Sequence, residues 1–258
     1  MPHERLSLPL DGRRALVVGA SSGIGKGIAT RLVELGARVV VAARRAPLLT
    51  EVAEQISAAG AIVADVRVEA DCVRIAEEAV AAVGGLDLVV YASGTSPLAA
   101  LRDLDAEGWR AVLETNLVGA SLVTRAALGH LRPGAIVGFV SSETVGDPRH
   151  GLVAYAASKI ALEELARGWR VEHPDHRFCV IAVGSTTDTD FARDFSPEAF
   201  TEFWPSWLAH GVMRERHMNP TDLGACIAES LAVAIAHPAV DIDRMVFRPP
   251  GPVAGLTT

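Results

Sequence analysis

A phenol and an ammonium stand four residues apart in Tyr155-Ala-Ala-Ser-Lys159, and Lys159 is one of only two lysines in the chain. On a helix, positions i and i+4 share a face, which brings the ammonium beside the phenol. A phenol of pKa near 10 needs roughly 3 units of depression to act at neutral pH, about 4 kcal/mol. A unit charge about 4 Å away supplies about 4 kcal/mol at an effective dielectric of 20. The pair can therefore serve as a proton donor and acceptor. Taken alone, Tyr-x-x-x-Lys also arises as surface decoration, so its company decides.

A second constellation is Gly19-Ala-Ser21-Ser22-Gly23-Ile24-Gly25, which follows an apolar run and opens a helical pattern. Glycines in such a turn let backbone N–H groups reach a pyrophosphate, and the helix dipole assists. This predicts a dinucleotide site. The next apolar run ends Val41-Ala42-Ala43-Arg44-Arg45, where an acidic residue would hold the ribose hydroxyl of NAD. Ala43 removes the carboxylate that would repel a 2′-phosphate, and Arg44, beside Arg45, offers a fork that suits one. NADP(H) is the preferred cofactor, with NAD(H) possible. The plainer alternative makes Arg44 and Arg45 solvated charges at the start of the next helix.

The elements that must position these groups are legible in the hydrophobic pattern. Seven short apolar runs read as strands: Arg14 to Gly19, Arg38 to Ala42, Ala61 to Val66, Leu86 to Tyr91, Ala135 to Val140, Arg177 to Val183 and Asp241 to Phe247. They are continuous rather than alternating, as in strands covered on both faces. Helical patterns lie between them at about 24–35, 46–59, 69–83, 105–130, 152–171 and 221–236. The prediction is an α/β, doubly wound Rossmann fold: one domain over 1–258 built on a seven-stranded, mainly parallel sheet with helices on both faces. The tail from Pro249 to Thr258 is expected to be irregular, packing late or against a neighbouring subunit.

Composition bounds the function. Half of the 258 residues are hydrophobic, enough for a large core, and the net charge of -7 argues against a nucleic-acid partner. Cys72, Cys179 and Cys226 lack ligand spacing and read as buried free thiols, the histidines are scattered, and no metal site is assigned. Residues 1–12 contain no apolar leader core, and no stretch reaches about 18 apolar residues. A soluble, cytoplasmic protein with no membrane partner is expected.

Together, Gly19-x-x-x-Gly23-x-Gly25, Asn116, Ser142, Tyr155 and Lys159 resemble the short-chain dehydrogenase/reductases in order and spacing, with Ser142 thirteen residues before Tyr155. The resemblance spans essentially the whole chain. It implies hydride transfer between nicotinamide and a carbonyl or alcohol carbon. Tyr155 would be general acid or base. Lys159 would depress the phenol and hold the nicotinamide ribose, Ser142 would bind the substrate oxygen, and Asn116 would position a water linking Lys159 to solvent. Asp65, after the third strand, resembles the residue that contacts adenine, although a turn aspartate is the plainer reading. Val66, Ala92 and Gly94 complete the expected cofactor contacts.

Three positions depart from the family pattern. Val18 stands where Thr is usual, and Tyr91-Ala92-Ser93-Gly94 stands where Asn-Asn-Ala-Gly is usual. Both departures fall where the first and fourth strands are tied together, and Ser93 is expected to supply a replacement hydrogen bond. After the sixth strand, Gly184 aligns but Pro-Gly is absent, so Thr186, Thr187 and Thr189 all compete for the cofactor-facing threonine, with Thr186 and Thr189 favoured.

Residues 191–207 hold Phe191, Phe195, Phe200, Phe203, Trp204 and Trp207, within a segment at about 186–218 where the family covers its substrate. They read equally as an apolar lid over a hydrophobic carbonyl substrate or as packing against the body or another subunit. Arg149 and His150 could meet a polar end of that substrate. The last strand lacks the Gly-Gly ending of acyl-carrier-protein ketoreductases. The helices at 105–130 and 152–171 resemble those that pair subunits, so a homodimer or homotetramer is expected. The rival is a catalytically silent NADP(H)-binding regulator or scaffold, against which the intact Asn-Ser-Tyr-Lys set speaks. A sugar-nucleotide epimerase or dehydratase fits less well, because its glycine spacing and longer C-terminal part are missing.

Overall fold

The computed structural model describes residues 10–187 and 189–255. Most of the residues 1–12 that bear on a leader therefore lie outside the description, as does the end of the tail. Strands β1 (Arg14–Val18), β2 (Arg38–Ala43), β3 (Gly60–Val63), β4 (Leu86–Tyr91), β5 (Leu131–Ser142), β6 (Arg177–Val183) and β7 (Arg244–Phe247) form one sheet in the order β3-β2-β1-β4-β5-β6-β7. Every pairing is parallel. The strand order reverses between β1 and β4, so a crevice opens beyond their carboxyl ends.

Continuous apolar runs follow from this sandwich. Val17, Val39 and Val41 face a core shared with helices α1 (Gly23–Glu34), α2 (Ala46–Ile56) and α8 (Pro220–Ala236). Their neighbours Leu16, Val18, Val40 and Ala42 face the opposite core, against α3 (Glu69–Val83), α5 (Gly119–Leu128) and α6 (Val153–Glu172). Each fully buried Leu or Ile contributes about 2 kcal/mol of hydrophobic stabilisation. Gly27 and Gly224 let α1 and α8 touch: a β-carbon on Gly224 would lie 2.4 Å from the Gly27 carbonyl carbon.

The structure corrects several predicted boundaries. β3 stops at Val63, which leaves Asp65 and Val66 in the following turn. β5 extends to Ser142, so this hydroxyl sits on the last strand residue. The helix expected over 105–130 is α4 (Ala106–Leu113), a π turn (Glu114–Val118) and α5, in uninterrupted succession. Helix α7 (Pro197–Ala209) was not predicted, although Ser196 caps it, Pro197 opens it, and Phe200, Phe203, Trp204 and Trp207 follow helical spacing. The segment from 186 to 218 leaves and returns at one neck, where the Met218 N–H donates to the Ser185 carbonyl and the Thr187 N–H to the Met218 carbonyl, both at 3.0 Å. Phe203, Trp207 and Met213 of this segment bury a third apolar cluster with Leu98 and Leu152. Over Pro249–Gly255 the tail is irregular, joined to the segment by a bridge between Arg214 and Val253.

Candidate active site

The cleft at the strand-order reversal has a volume of about 510 Å³. Its floor is the glycine turn between β1 and α1. Gly19 has φ 90°, and a β-carbon there would come within 2.5 Å of the Ser93 nitrogen. At Gly25 a β-carbon would meet the Gly19 carbonyl oxygen at 2.2 Å. Only glycine fits both places, and the resulting cradle ends on the amino terminus of α1. Ser22, at the N-cap of α1, makes no side-chain cap. This geometry suits the pyrophosphate of a dinucleotide.

Ser21, Ser22, Gly23, Ile24, Arg44, Arg45, Val66, Ala92, Gly94, Gly184, Thr186 and Thr189 all line the cleft with the glycines, as do Ser142, Tyr155 and Lys159. Thr189 lies over Gly23, its methyl 3.3 Å from the place a β-carbon would take. Thr186 donates its hydroxyl to the Gly184 carbonyl at 3.0 Å. Asp65 does not reach the cleft wall: its carboxylate pairs with Arg67 at 2.6 Å and accepts the Arg67 backbone N–H.

Tyr155 and Lys159 project from α6, and Ser142 from the end of β5. The Lys159 ammonium lies 5.6 Å from the centre of the Tyr155 ring and donates to the Val140 carbonyl at 2.7 Å. Burial pushes its pKa down to about 8. Burial also pushes the Tyr155 phenol up to about 12, opposed by the Ser142 hydroxyl and the Arg149 charge. The depressed phenol anticipated from the i, i+4 spacing is therefore not what this structure holds. Desolvation outweighs the neighbouring charges, and Tyr155 is a protonated phenol at neutral pH.

Asn116 sits in the π turn, fully buried, and braces the site from behind. Its amide nitrogen donates to the Thr95 carbonyl and to the Ser158 hydroxyl, both at 2.9 Å, while its oxygen accepts the Thr95 N–H at 2.8 Å. Both side-chain donors are thus spent on protein. Ser158 passes the connection on to the Tyr155 carbonyl at 2.7 Å. Irregular π turns of this kind concentrate at functional sites.

The altered β1/β4 junction is rebuilt differently from the expectation. Among the described residues the Ser93 hydroxyl makes no hydrogen bond; the Ala92 N–H donates to the Val18 carbonyl at 2.8 Å, and the Ser93 backbone abuts Gly19. Tyr91 turns the other way, and its hydroxyl donates to the Thr115 carbonyl in the π turn at 2.5 Å. His150 also stands away from the cleft lining. Its ring meets Phe203 edge-on at 4.5 Å, and its carbonyl accepts the Trp207 indole N–H at 2.7 Å. Arg149 does line the cleft, in an ion pair with Glu143 and a 3.1 Å bond to the Val212 carbonyl.

Phe191, Phe195, Phe200, Trp204 and Trp207 line the same cleft, and the Phe191 ring lies 4.8 Å from that of Tyr155. Phe203 instead packs inward, 3% exposed. Sequence reading missed Thr95, Thr115, Arg149's partner Glu143, and Asp190, all at the cleft wall. Two cysteines are buried as expected, but Cys226 is exposed. Among the described residues no helix is long and apolar enough to cross a membrane, and no cluster of metal-ligating side chains forms.

The family model described as short chain dehydrogenase matches residues 13–199. The chain belongs to the short-chain dehydrogenase/reductase family. It is 37% identical over 197 residues to short chain dehydrogenase claC of Passalora fulva, covering 72% of this chain and 73% of that protein. It is 32% identical over 252 residues to the hydroxynaphthalene reductase-like protein Arp2 of Metarhizium acridum, covering 91% and 92%. A dehydrogenase/reductase from Sinorhizobium meliloti 1021 superposes with a TM-score of 0.78 at 28% identity, over 94% of this chain and 96% of that one. As a short-chain dehydrogenase/reductase the chain is an oxidoreductase of CH–OH and carbonyl groups, built on the family's Rossmann sheet.

Proposed function

We propose that the chain is an NADP(H)-dependent carbonyl reductase, reversible as a secondary-alcohol dehydrogenase, for hydrophobic ketones or aldehydes. The observation that carries this reading is a single cleft with three walls. One is the glycine turn with Arg44 and Arg45, the second is Ser142, Tyr155 and Lys159, and the third is a set of aromatic rings. The Gly19 and Gly25 cradle leaves no room for side chains, which suits a dinucleotide, and Arg44 and Arg45 follow directly on β2, where the ribose would lie. When bound, the nicotinamide supplies or accepts the hydride.

The chain's own residues supply the rest. Ser142 holds the substrate oxygen, and Tyr155, protonated at neutral pH, donates its proton to that oxygen as the carbonyl is reduced. Lys159, with a pKa of about 8, returns a proton to the phenolate and stabilises it while it lasts. Phe191, Phe200, Trp204 and Trp207 exclude water from the reacting centre and favour an apolar, ring-bearing substrate. The reductase name of the Metarhizium relative supports an aromatic carbonyl compound. The working form is a cytoplasmic homodimer or homotetramer.

The test is NADPH oxidation against a panel of ketones and aldehydes, with and without fused aromatic rings, alongside Tyr155→Phe. The expected outcome is turnover favouring the ring-bearing ketones, falling at least about a hundredfold in Tyr155→Phe because a positioned acid contributes about 10²–10⁴. Turnover that survives the substitution would overturn the proton-donor role. Equal rates with NADH would overturn the cofactor preference.

A further inference from the structure

The guanidinium of Arg45 is held on two sides. One terminal nitrogen donates to the Ser21 hydroxyl at 2.9 Å and the Ser22 hydroxyl at 2.7 Å. The other pairs with the Asp190 carboxylate at 2.5 Å. Asp190 belongs to the segment between β6 and α7, and Thr189 beside it packs over Gly23. The next residue, Phe191, touches the ring of Tyr155. The Ser22 hydroxyl and Arg45 hold the Asp190 carboxyl below the usual range, so it is charged at neutral pH. Arg44 adds to the same field: its charge helps lower both Asp65 and Asp194, the latter four residues beyond Asp190.

The end of β2 lacks the acidic residue that would accept a ribose hydroxyl, yet a carboxylate reaches that neighbourhood from another element. We infer that Asp190 is a cofactor-selectivity residue whose carboxylate competes with the 2′-phosphate of NADP(H) for Arg45, Ser21 and Ser22. This rests on the assignment of Arg44 and Arg45 to the cofactor's ribose end. A phosphate seated on Arg45 and the two serines meets Asp190 as a like charge. A ribose 2′-hydroxyl in the same place carries no charge and can donate to the carboxylate. Asp190 therefore weakens NADP(H) more than NAD(H) and narrows the difference that the arginines create.

The experiment is equilibrium binding of NADPH and NADH, read by nucleotide fluorescence, to wild type, Asp190→Asn, Arg45→Ala and the double variant. Asn keeps the size of the side chain and removes its charge. The expected result in Asp190→Asn is NADPH binding tightened about threefold to tenfold, the range of a partly exposed charge pair. NADH should be unchanged or weakened, and the gain should vanish in the Arg45→Ala background. An unchanged or weaker NADPH affinity in Asp190→Asn, an equal gain for NADH, or a gain that survives without Arg45 overturns the inference. A wild type that prefers NADH but moves toward NADPH in Asp190→Asn supports the role of Asp190 while overturning the NADP(H) preference. A strong NADPH preference indifferent to Asp190→Asn does the reverse, and failure of every variant to bind either nucleotide overturns both.

Discussion

Lys159 shows how burial reshapes a residue whose type and spacing were plain in the sequence. The i, i+4 arithmetic placed an ammonium beside a phenol, and the two are neighbours. What spacing could not show was that the ammonium is 2% exposed, so desolvation dominates its titration. Its pKa of about 8 lies below the ordinary 10.5, so between those values the unfolded chain binds more protons than the folded one. Stability must then rise with pH across that window, and the cost of the buried charge is fully present below pH 8. In Lys159→Met that rise should be missing. Urea unfolding from pH 7 to 10.5 should show the wild type closing on the variant by about 3 kcal/mol, at about 1.4 kcal/mol per unit. Parallel stability curves would mean that Lys159 is not depressed. Asp190, by contrast, was illegible: nothing in an isolated Thr-Asp-Phe sequence points to an arginine at the start of α2, because their meeting depends on how the 186–218 segment folds back.

At the scale of elements, strands were easy to read because burial on both faces leaves an uninterrupted apolar run. The π turn was not, since one extra residue within a helix barely disturbs its hydrophobic periodicity. Yet this turn carries Asn116, and Tyr91, which departs from the family's asparagine, is what ties β4 to it. The Tyr91 hydroxyl and the Thr115 carbonyl are both buried, and Gly119 is the small residue that leaves the phenol room: a β-carbon there would sit 2.7 Å from the hydroxyl. Tyr91→Phe removes the donor and the buried bond it makes, which should cost about 1 kcal/mol. Calorimetry and urea unfolding check the stability. Because Thr115 adjoins Asn116, kcat should fall with the substrate's KM little changed, whereas a purely structural bond would leave kcat intact at temperatures where the variant is folded.

The whole molecule presents a face that one chain does not cover. Val118 in the π turn and Ile160 and Val171 on α6 are 44%, 52% and 82% exposed; α6 packs along the π turn, and the spacing of Ile160 and Val171 puts both on one face of α6. Ile160 directly follows Lys159, so a partner laid on this face would also steady the helix that carries Tyr155 and Lys159. A second copy of the chain is the partner that the family resemblance suggests, and two copies of α6 laid against each other by a two-fold axis would bury these side chains symmetrically. Ile160→Glu places a charge in such an interface, where burial without a partner is costly. Sedimentation velocity should find the wild type as a dimer or tetramer and Ile160→Glu shifted to a smaller species, with activity recovering as protein concentration rises. A wild type that sediments as a monomer at micromolar concentration would overturn the pairing of two copies through this face.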